Sequence, residues 1–185
     1  METLEFQAWP KIARLNRDMI ITEKIDGTNA AVLVTDDGQV GAQSRSRLIT
    51  PEQDNHGFAR WVYANAEALA KALGPGRHFG EWWGGGIQRG YGLAKDDKRF
   101  SLFNLSRYAE CDFSELPNVA LVPKIYSGPF DSNAVVNARI LLEINGSYAA
   151  PGYTKPEGIV VFHVAANQLF KVTLENDEQP KGLAS

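Results

Sequence analysis

Cysteine is nearly missing from this sequence: Cys111 is the only one in 185 residues. No intrachain disulfide can close and no multi-cysteine zinc site can form, so a reducing, cytoplasmic setting is expected. Long apolar runs are missing too. No stretch approaches the roughly 18 apolar residues of a membrane span, and the N-terminus has neither a basic start nor an apolar core that would serve as a targeting signal. No membrane role is expected. A surplus of positive charge is also lacking, since 19 Lys and Arg stand against 22 Asp and Glu for a net charge of −3. That balance argues against a domain that holds nucleic acid by overall positive charge. Any grip on phosphates has to be local. The candidates are Arg45 with Arg47, then Arg89, then Lys95, Lys98 and Arg99, and each group alone also reads as ordinary solvated surface. The three histidines, His56, His78 and His163, stand apart and suggest core or surface roles, not a metal site.

What is present fits one globular domain. A hydrophobic fraction of 44% with 22% charged residues is a normal globular mixture and excludes wholesale disorder. A chain of this length buries roughly two-thirds of its unfolded surface around one sizeable core. Neither an internal repeat nor a low-complexity tract nor a composition shift marks a linker, so residues 1–185 are expected to form a single domain.

The β-prone runs 19–24 and 29–35 come first, and the second leads through the turn Asp36-Asp37-Gly38 into 39–44, which predicts a hairpin. From 51 to 73, Phe58, Trp61, Val62, Leu69 and Leu73 recur near helical spacing until Gly74-Pro75-Gly76 stops the pattern. Strands are expected at 77–82, 99–105 and 119–125. A second helix is expected from Asp131 or Ser132 to Glu143, before Asn145-Gly146. Two final strands, 158–164 and 168–174, are joined by a tight Ala-Ala-Asn connection. Hairpins outnumber strand-helix-strand units, so the class is α+β, with mainly antiparallel sheets and flanking helices.

Chemistry concentrates at Glu23-Lys24-Ile25-Asp26-Gly27-Thr28-Asn29, where a lysine ends one strand and a glycine-containing turn opens the next. A lysine so placed can point into a cleft between sheets, and Gly27 would admit unusual backbone angles or close phosphate approach. Read alone, the stretch is equally a strand end with a turn. Four further elements follow in order. They are Gln43-Ser44-Arg45-Ser46-Arg47, Phe79-Gly80-Glu81-Trp82-Trp83-Gly84-Gly85-Gly86-Ile87-Gln88, Phe100-Ser101-Leu102-Phe103-Asn104, and the pair Pro156-Glu157-Gly158-Ile159-Val160 with Phe170-Lys171-Val172.

Together these motifs resemble the ATP-dependent RNA ligase family, a branch of the covalent lysyl-nucleotidyltransferases. The likeness is to the RNA-editing ligases and the phage ligases that seal nicks in duplex RNA, and it spans about residues 20–175. The resemblance implies a nucleotidyltransferase (ATP-grasp-like) adenylation domain using ATP and Mg2+ or Mn2+, and RNA ends as partners. Lys24 would attack the α-phosphorus of ATP to give a lysyl-adenylate. Because a free lysine with a pKa of about 10.4 is almost wholly protonated at neutral pH, positive charge from Lys171 and a divalent metal would lower it. Lys171 would also contact the α-phosphate, and Glu157 would bind or orient the metal. Glu81 would accept from the ribose hydroxyls and Arg45 would reach ribose or phosphates. Phe103 either stacks on adenine or belongs to the core. Glu23 falls in the same nucleotide-binding set, and Asp26 and Asn29 stand beside the nucleophile without a definite step. Trp82 and Trp83 with the triple glycine either offer aromatic stacking and close backbone approach to RNA or nucleotide, or form a mobile loop.

Two departures from the family pattern stand out. The second position of the family's Lys-x-Lys pair is Thr173, with Lys181 in the tail as a conceivable replacement. The chain also has no room for an OB-type or C-terminal helical domain, so a protein partner that replaces it is expected. Alternatives remain a different acceptor, such as a DNA nick, an RNA cap or another molecule, and a non-catalytic nucleotide- or RNA-binding module.

Overall fold

A computed structural model describes residues 4–178. Its ten strands and three α-helices form two mainly antiparallel sheets with helices outside, the α+β class expected. The four-stranded sheet is centred on β1 (Asp18–Lys24) and β9 (Gly158–His163), flanked by β8 (Lys124–Pro129) and β10 (Gln168–Thr173), in the order β10-β9-β1-β8. Side chains alternate across β1, so Met19 and Ile21 face one way and Thr22 and Lys24 the other. Met19 and Ile21, with Ile159 and Val161, pack against Ala138 and Leu142 of α3 (Ser132–Asn145). The start and stop of α3 follow the expected signals: the Asp131 carboxylate accepts from the Asn133 amide, and Gly146 takes φ 78° at the end.

The six-stranded sheet runs β4 (Leu48–Ile49), β3 (Val40–Ser44), β2 (Thr28–Val34), β5 (Gly76–Gly84), β6 (Lys98–Leu102) and β7 (Val119–Leu121). β2 and β3 form the anticipated hairpin, with Gly38 in the left-handed region at φ 83°. The outer face of this sheet packs Val32, Val34, Trp82, Phe100 and Leu102 against Phe58, Val62 and Leu69 of the helices.

Two expectations need correction, and one strand was not among those expected. The segment 51–73 is two short helices, α1 (Phe58–Ala64) and α2 (Ala66–Leu73), not one. Its first part is turned because the Asp54 carboxylate gathers the amides of Asn55, Ala59 and Arg60, and Gly57 sits at φ 83°. The run 119–125 splits between sheets: β7 pairs in parallel with β6, while β8 joins β1. Pro123 stands at the break, and its carbonyl accepts from the Glu23 amide. The two-residue β4 carried no periodic signal and was not foreseen.

Trp82 and Trp83 are both 2% exposed and take no part in a nucleic-acid platform. Their indole N–H groups donate to the His56 carbonyl and to Ser101 Oγ. The triple glycine serves the chain's own packing: a Cβ on Gly85 would stand 1.8 Å from the Ala94 carbonyl oxygen. Gly85→Ala is therefore expected to destabilise the fold by about 1–3 kcal/mol. Gly41→Ala, whose nearest neighbour would be Leu33 Cβ at 3.9 Å, should stay within about 0.5 kcal/mol. Urea unfolding of both variants checks the pair.

Candidate active site

Lys24 is the last residue of β1 and Thr28 the first of β2, so residues 25–27 carry the chain from one sheet to the other. A small core of Ile25, Trp83, Tyr91, Val122 and Ala150 fills the space beneath this crossing. A Cβ on Gly27 would lie 2.5 Å from the Trp82 carbonyl oxygen and 2.7 Å from Trp83 Cβ. Steric crowding, not phosphate approach, is thus the structural reason for glycine at this position.

Lys24 donates from Nζ to Glu157 Oε2 at 2.6 Å, the two side chains being 24% and 14% exposed. Glu157 reaches it because Gly158, the next residue, is the register partner of Lys24. Lys171 pairs with Val160, which pairs with Thr22, so Lys171 lies on the same face as Lys24. Two strand spacings and two residues separate them, roughly 12 Å between Cα atoms, within converging reach of two lysine side chains. Lys124, opposite Thr22 on the other side of β1 and exposed, adds a third lysine to that face. Thr173 is held in a turn: its hydroxyl donates to the Glu175 carbonyl, and its amide to Asp177 Oδ1. Lys181 lies outside the described residues.

Glu23 is turned the other way. Its buried carboxylate accepts from Ser147 Oγ at 2.6 Å and from the amides of Tyr148 and Ala149 at 2.8 and 2.9 Å. Burial pushes its pKa up, with the three hydrogen bonds opposing. Its side chain anchors the loop after α3 and does not face the cleft where Lys24 points.

Across the cleft, Glu81 of β5 stands opposite Asn29 of β2. Glu81 Oε1 accepts from the Gly27 amide at 3.1 Å and Oε2 from Asn29 Nδ2 at 3.0 Å. Only 8% exposed, Glu81 has its pKa raised to about 7. Burial is the main cause, opposed by Lys24 and the Gly27 amide and reinforced by the negative charges of Glu157 and Asp26. On the same face of the six-stranded sheet, Asn29, Ala31, Gln43, Arg45, Phe79 and Phe103 line a pocket of about 200 Å3. Phe79 and Phe103 are 50% and 42% exposed, so Phe103 is a pocket wall and not a core residue. A larger depression of about 470 Å3 lies at Arg139 and residues 172–178, whereas the smaller pocket is lined by Asn29, which bonds Glu81. The smaller pocket is the one that adjoins the chemistry.

Asp26 is gripped twice. Its carboxylate accepts from Arg89 Nε at 3.1 Å, and its amide donates to Tyr91 Oη at 2.8 Å. Arg89 also donates to the Lys155 carbonyl at 3.2 Å. Arg99 is likewise spent inside the molecule, on Asp97, on the Ala149 carbonyl and over the Trp83 ring. Of the basic groups considered for nucleic acid, these two are structural.

The profile of the family described as RNA ligase matches residues 17–173, which is most of the chain. The chain belongs to the RNA ligase family. No curated protein matches it in sequence. Among solved structures, a Naegleria gruberi RNA ligase variant with ATP and Mn shares 18% identity at a TM-score of 0.60, over 87% of this chain and 51% of that one. A second variant of that ligase, with AMP and Mn, gives 18% and 0.58 over 86% and 50%. An archaeal ATP-dependent RNA ligase gives 16% and 0.55 over 91% and 48%. These RNA ligases share the fold, and the chain spans about half their length.

The ligase motifs therefore converge: Glu81 lies within the charge field of Lys24, Glu157 and Asp26, Asn29 joins it to the pocket of Arg45 and Phe103, and Lys171 shares the sheet face of Lys24. The sequence marks Arg89 only as a possible phosphate grip and Tyr91 and Lys124 not at all, because contacts between residues far apart in the chain bring them there. Phe79 did carry a signal, being two residues before Glu81 on one strand and so on the same face.

A carboxyl with a raised pKa stabilises the fold below its unfolded pKa of 4.5 and loses that contribution as pH rises through about 7. The stability of the unliganded wild type relative to Glu81→Gln should accordingly fall by up to about 3 kcal/mol from pH 4.5 to pH 8. Urea midpoints measured across that range test it; a difference independent of pH would rule it out.

Proposed function

We propose that this chain is the nucleotidyltransferase core of an ATP-dependent RNA ligase, working through a covalent lysyl-AMP on Lys24 to join 5′-phosphate and 3′-hydroxyl RNA ends. The observation that carries this reading is the placement of Lys24 and Glu157 in contact at the mouth of a cleft. Two more lysines lie on the same face, and a buried carboxylate and an aromatic-walled pocket stand opposite. The family and its structural relatives, solved with ATP or AMP and Mn, support the choice of nucleotide.

In this reading Phe103 and Phe79 hold the adenine and Arg45 reaches the ribose or phosphates. Glu81 keeps lone pairs free beyond those used by Gly27 and Asn29 and accepts from the ribose hydroxyls. Lys24 must leave Glu157 and lose a proton before it attacks. Its Nζ then bonds to the α-phosphorus while the bond to pyrophosphate breaks. Lys171 and Lys124 neutralise charge that grows on the phosphate oxygens. AMP next passes from Lys24 to a 5′-phosphate oxygen, and a 3′-hydroxyl displaces AMP to seal the strand.

The donor set fits a hard divalent cation, because Glu157, Asp26 and Glu81 offer carboxylate oxygen around Lys24. Among the described residues no three His, Cys, Asp or Glu side chains form a cage, so Glu157 would share such an ion with phosphates and water. When bound, Mg2+ or Mn2+ would supply positive charge beside the phosphates, with Glu157 as the residue that would hold it. Among the described residues no helix is long and apolar enough to cross a membrane, and the single cysteine suits a reducing, cytoplasmic setting.

Thr173 favours a second reading, a binding module that retains the fold without turnover. Intact mass after incubation with ATP and Mg2+ or Mn2+ separates the two. One added adenylate on the wild type and none on a folded Lys24→Ala variant is expected; an unmodified, initially adenylate-free wild type that still binds ATP would establish the module instead.

A further inference from the structure

The glycine-rich segment after β5 does more than fill space. Gln88 and Tyr91 both adopt positive φ, 45° and 52°, an unfavourable conformation for residues with side chains. Such backbone persists only where surrounding contacts hold it. Those contacts converge on one target. Arg89 donates from Nε to the Asp26 carboxylate, and Tyr91 Oη accepts the Asp26 amide, so the residue two positions after the nucleophile is held at side chain and backbone together. Tyr91 itself is 2% exposed and wedged against Trp83 and Tyr153, with ring centroids 5.1 and 4.7 Å away.

Arg89 extends the grip to two more segments. Its other nitrogens donate to the Lys155 carbonyl at 3.2 Å and to Glu175 Oε2 at 3.5 Å. Lys155 lies two residues before Glu157, and Glu175 two residues after the end of β10, the strand that bears Lys171. One planar guanidinium thereby joins the nucleophile connection, the approach to Glu157 and the exit from the Lys171 strand. A point-like ammonium has neither the fork nor the span to do so.

We propose that Arg89, seconded by Tyr91, is a positioning residue that sets Lys24, Glu157 and Lys171 in register for attack on the nucleotide. The proposal rests on the ligase reading above. It assigns Arg89 to the chemistry of self-adenylylation, not to capture of RNA phosphates.

The test is single-turnover adenylylation of the full chain at saturating ATP and Mg2+, for wild type, Arg89→Ala, Arg89→Lys and Tyr91→Phe. Arg89→Ala and Arg89→Lys are expected to slow the step by roughly 10- to 100-fold, the scale of an ångström-sized misplacement, while the KM for ATP changes by less than about threefold. Tyr91→Phe should slow it less. Full rate in Arg89→Ala overturns the proposal, and so does full rescue by Arg89→Lys, which would show that charge alone suffices. A loss confined to end joining, with self-adenylylation intact, overturns it in favour of RNA capture.

Hydrogen exchange gives a readout independent of turnover. The Asp26 amide should be protected in the wild type and exchange at least about tenfold faster in Arg89→Ala, with the amides of the β2–β5 ladder unchanged. Faster exchange everywhere would mean a merely structural arginine. Wild-type protein that never forms the adduct but shows the local change at Asp26 would remove the ligase reading and leave the clamp as geometry without the assigned role.

Discussion

Everything at this site depends on how tightly the chain crosses from one sheet to the other. Three residues separate Lys24 from Thr28, and Gly27 passes so close to Trp82 and Trp83 that no side chain fits there. The crossing fixes the distance between the two sheets at their base. It thereby fixes how far Lys24, at the end of one sheet, stands from Glu81, on the other. The Gly27 amide donates to Glu81, so the same residue that closes the crossing also orients the opposing carboxylate. Buried tryptophans are the floor of this arrangement, which is why their indoles are satisfied internally and not offered to a ligand.

The electrostatics follow from that geometry. Overall the chain is acidic, and its carboxylates are not spread evenly: Asp26, Glu81 and Glu157 gather where Lys24, Lys124 and Lys171 project. Burial makes the concentration costly, and the cost shows in the raised pKa of Glu81. On the ligase reading, an ATP molecule with a divalent cation would bring a complementary set of charges to the same place. A net charge of −3 is thus compatible with phosphate chemistry, because a few positioned cations in a cleft matter more than the sum over the surface.

Much of this was legible in the sequence, and what was not has physical reasons. The hairpin 28–44, α3 with its Asp131 and Gly146 ends, and the final pair of strands declared themselves through local periodicity and turn chemistry. The order of the ligase motifs brought Lys24, Glu81, Phe103, Glu157 and Lys171 forward together. Adjacency in sequence does not give direction at Glu23, which neighbours Lys24 but by alternation turns its side chain to the opposite side of the sheet. Glycine is ambiguous in sequence: at Gly27 and Gly85 the reason is contact with the chain itself. Arg89 and Lys124 acquire meaning only from pairings more than 60 residues apart, which no local pattern encodes.

The contact between Lys24 and Glu157 also bears on how the protein fares between reactions. Aldehydes, acyl phosphates and other stray electrophiles modify amines that have an electron pair to offer. Here the ammonium is bonded to a carboxylate and mostly covered, with 24% of the side chain exposed. On the ligase reading, the amine that would carry the adenylate is kept out of circulation until a nucleotide and its cation arrive to break that bond. The resting contact is a form of chemical safekeeping.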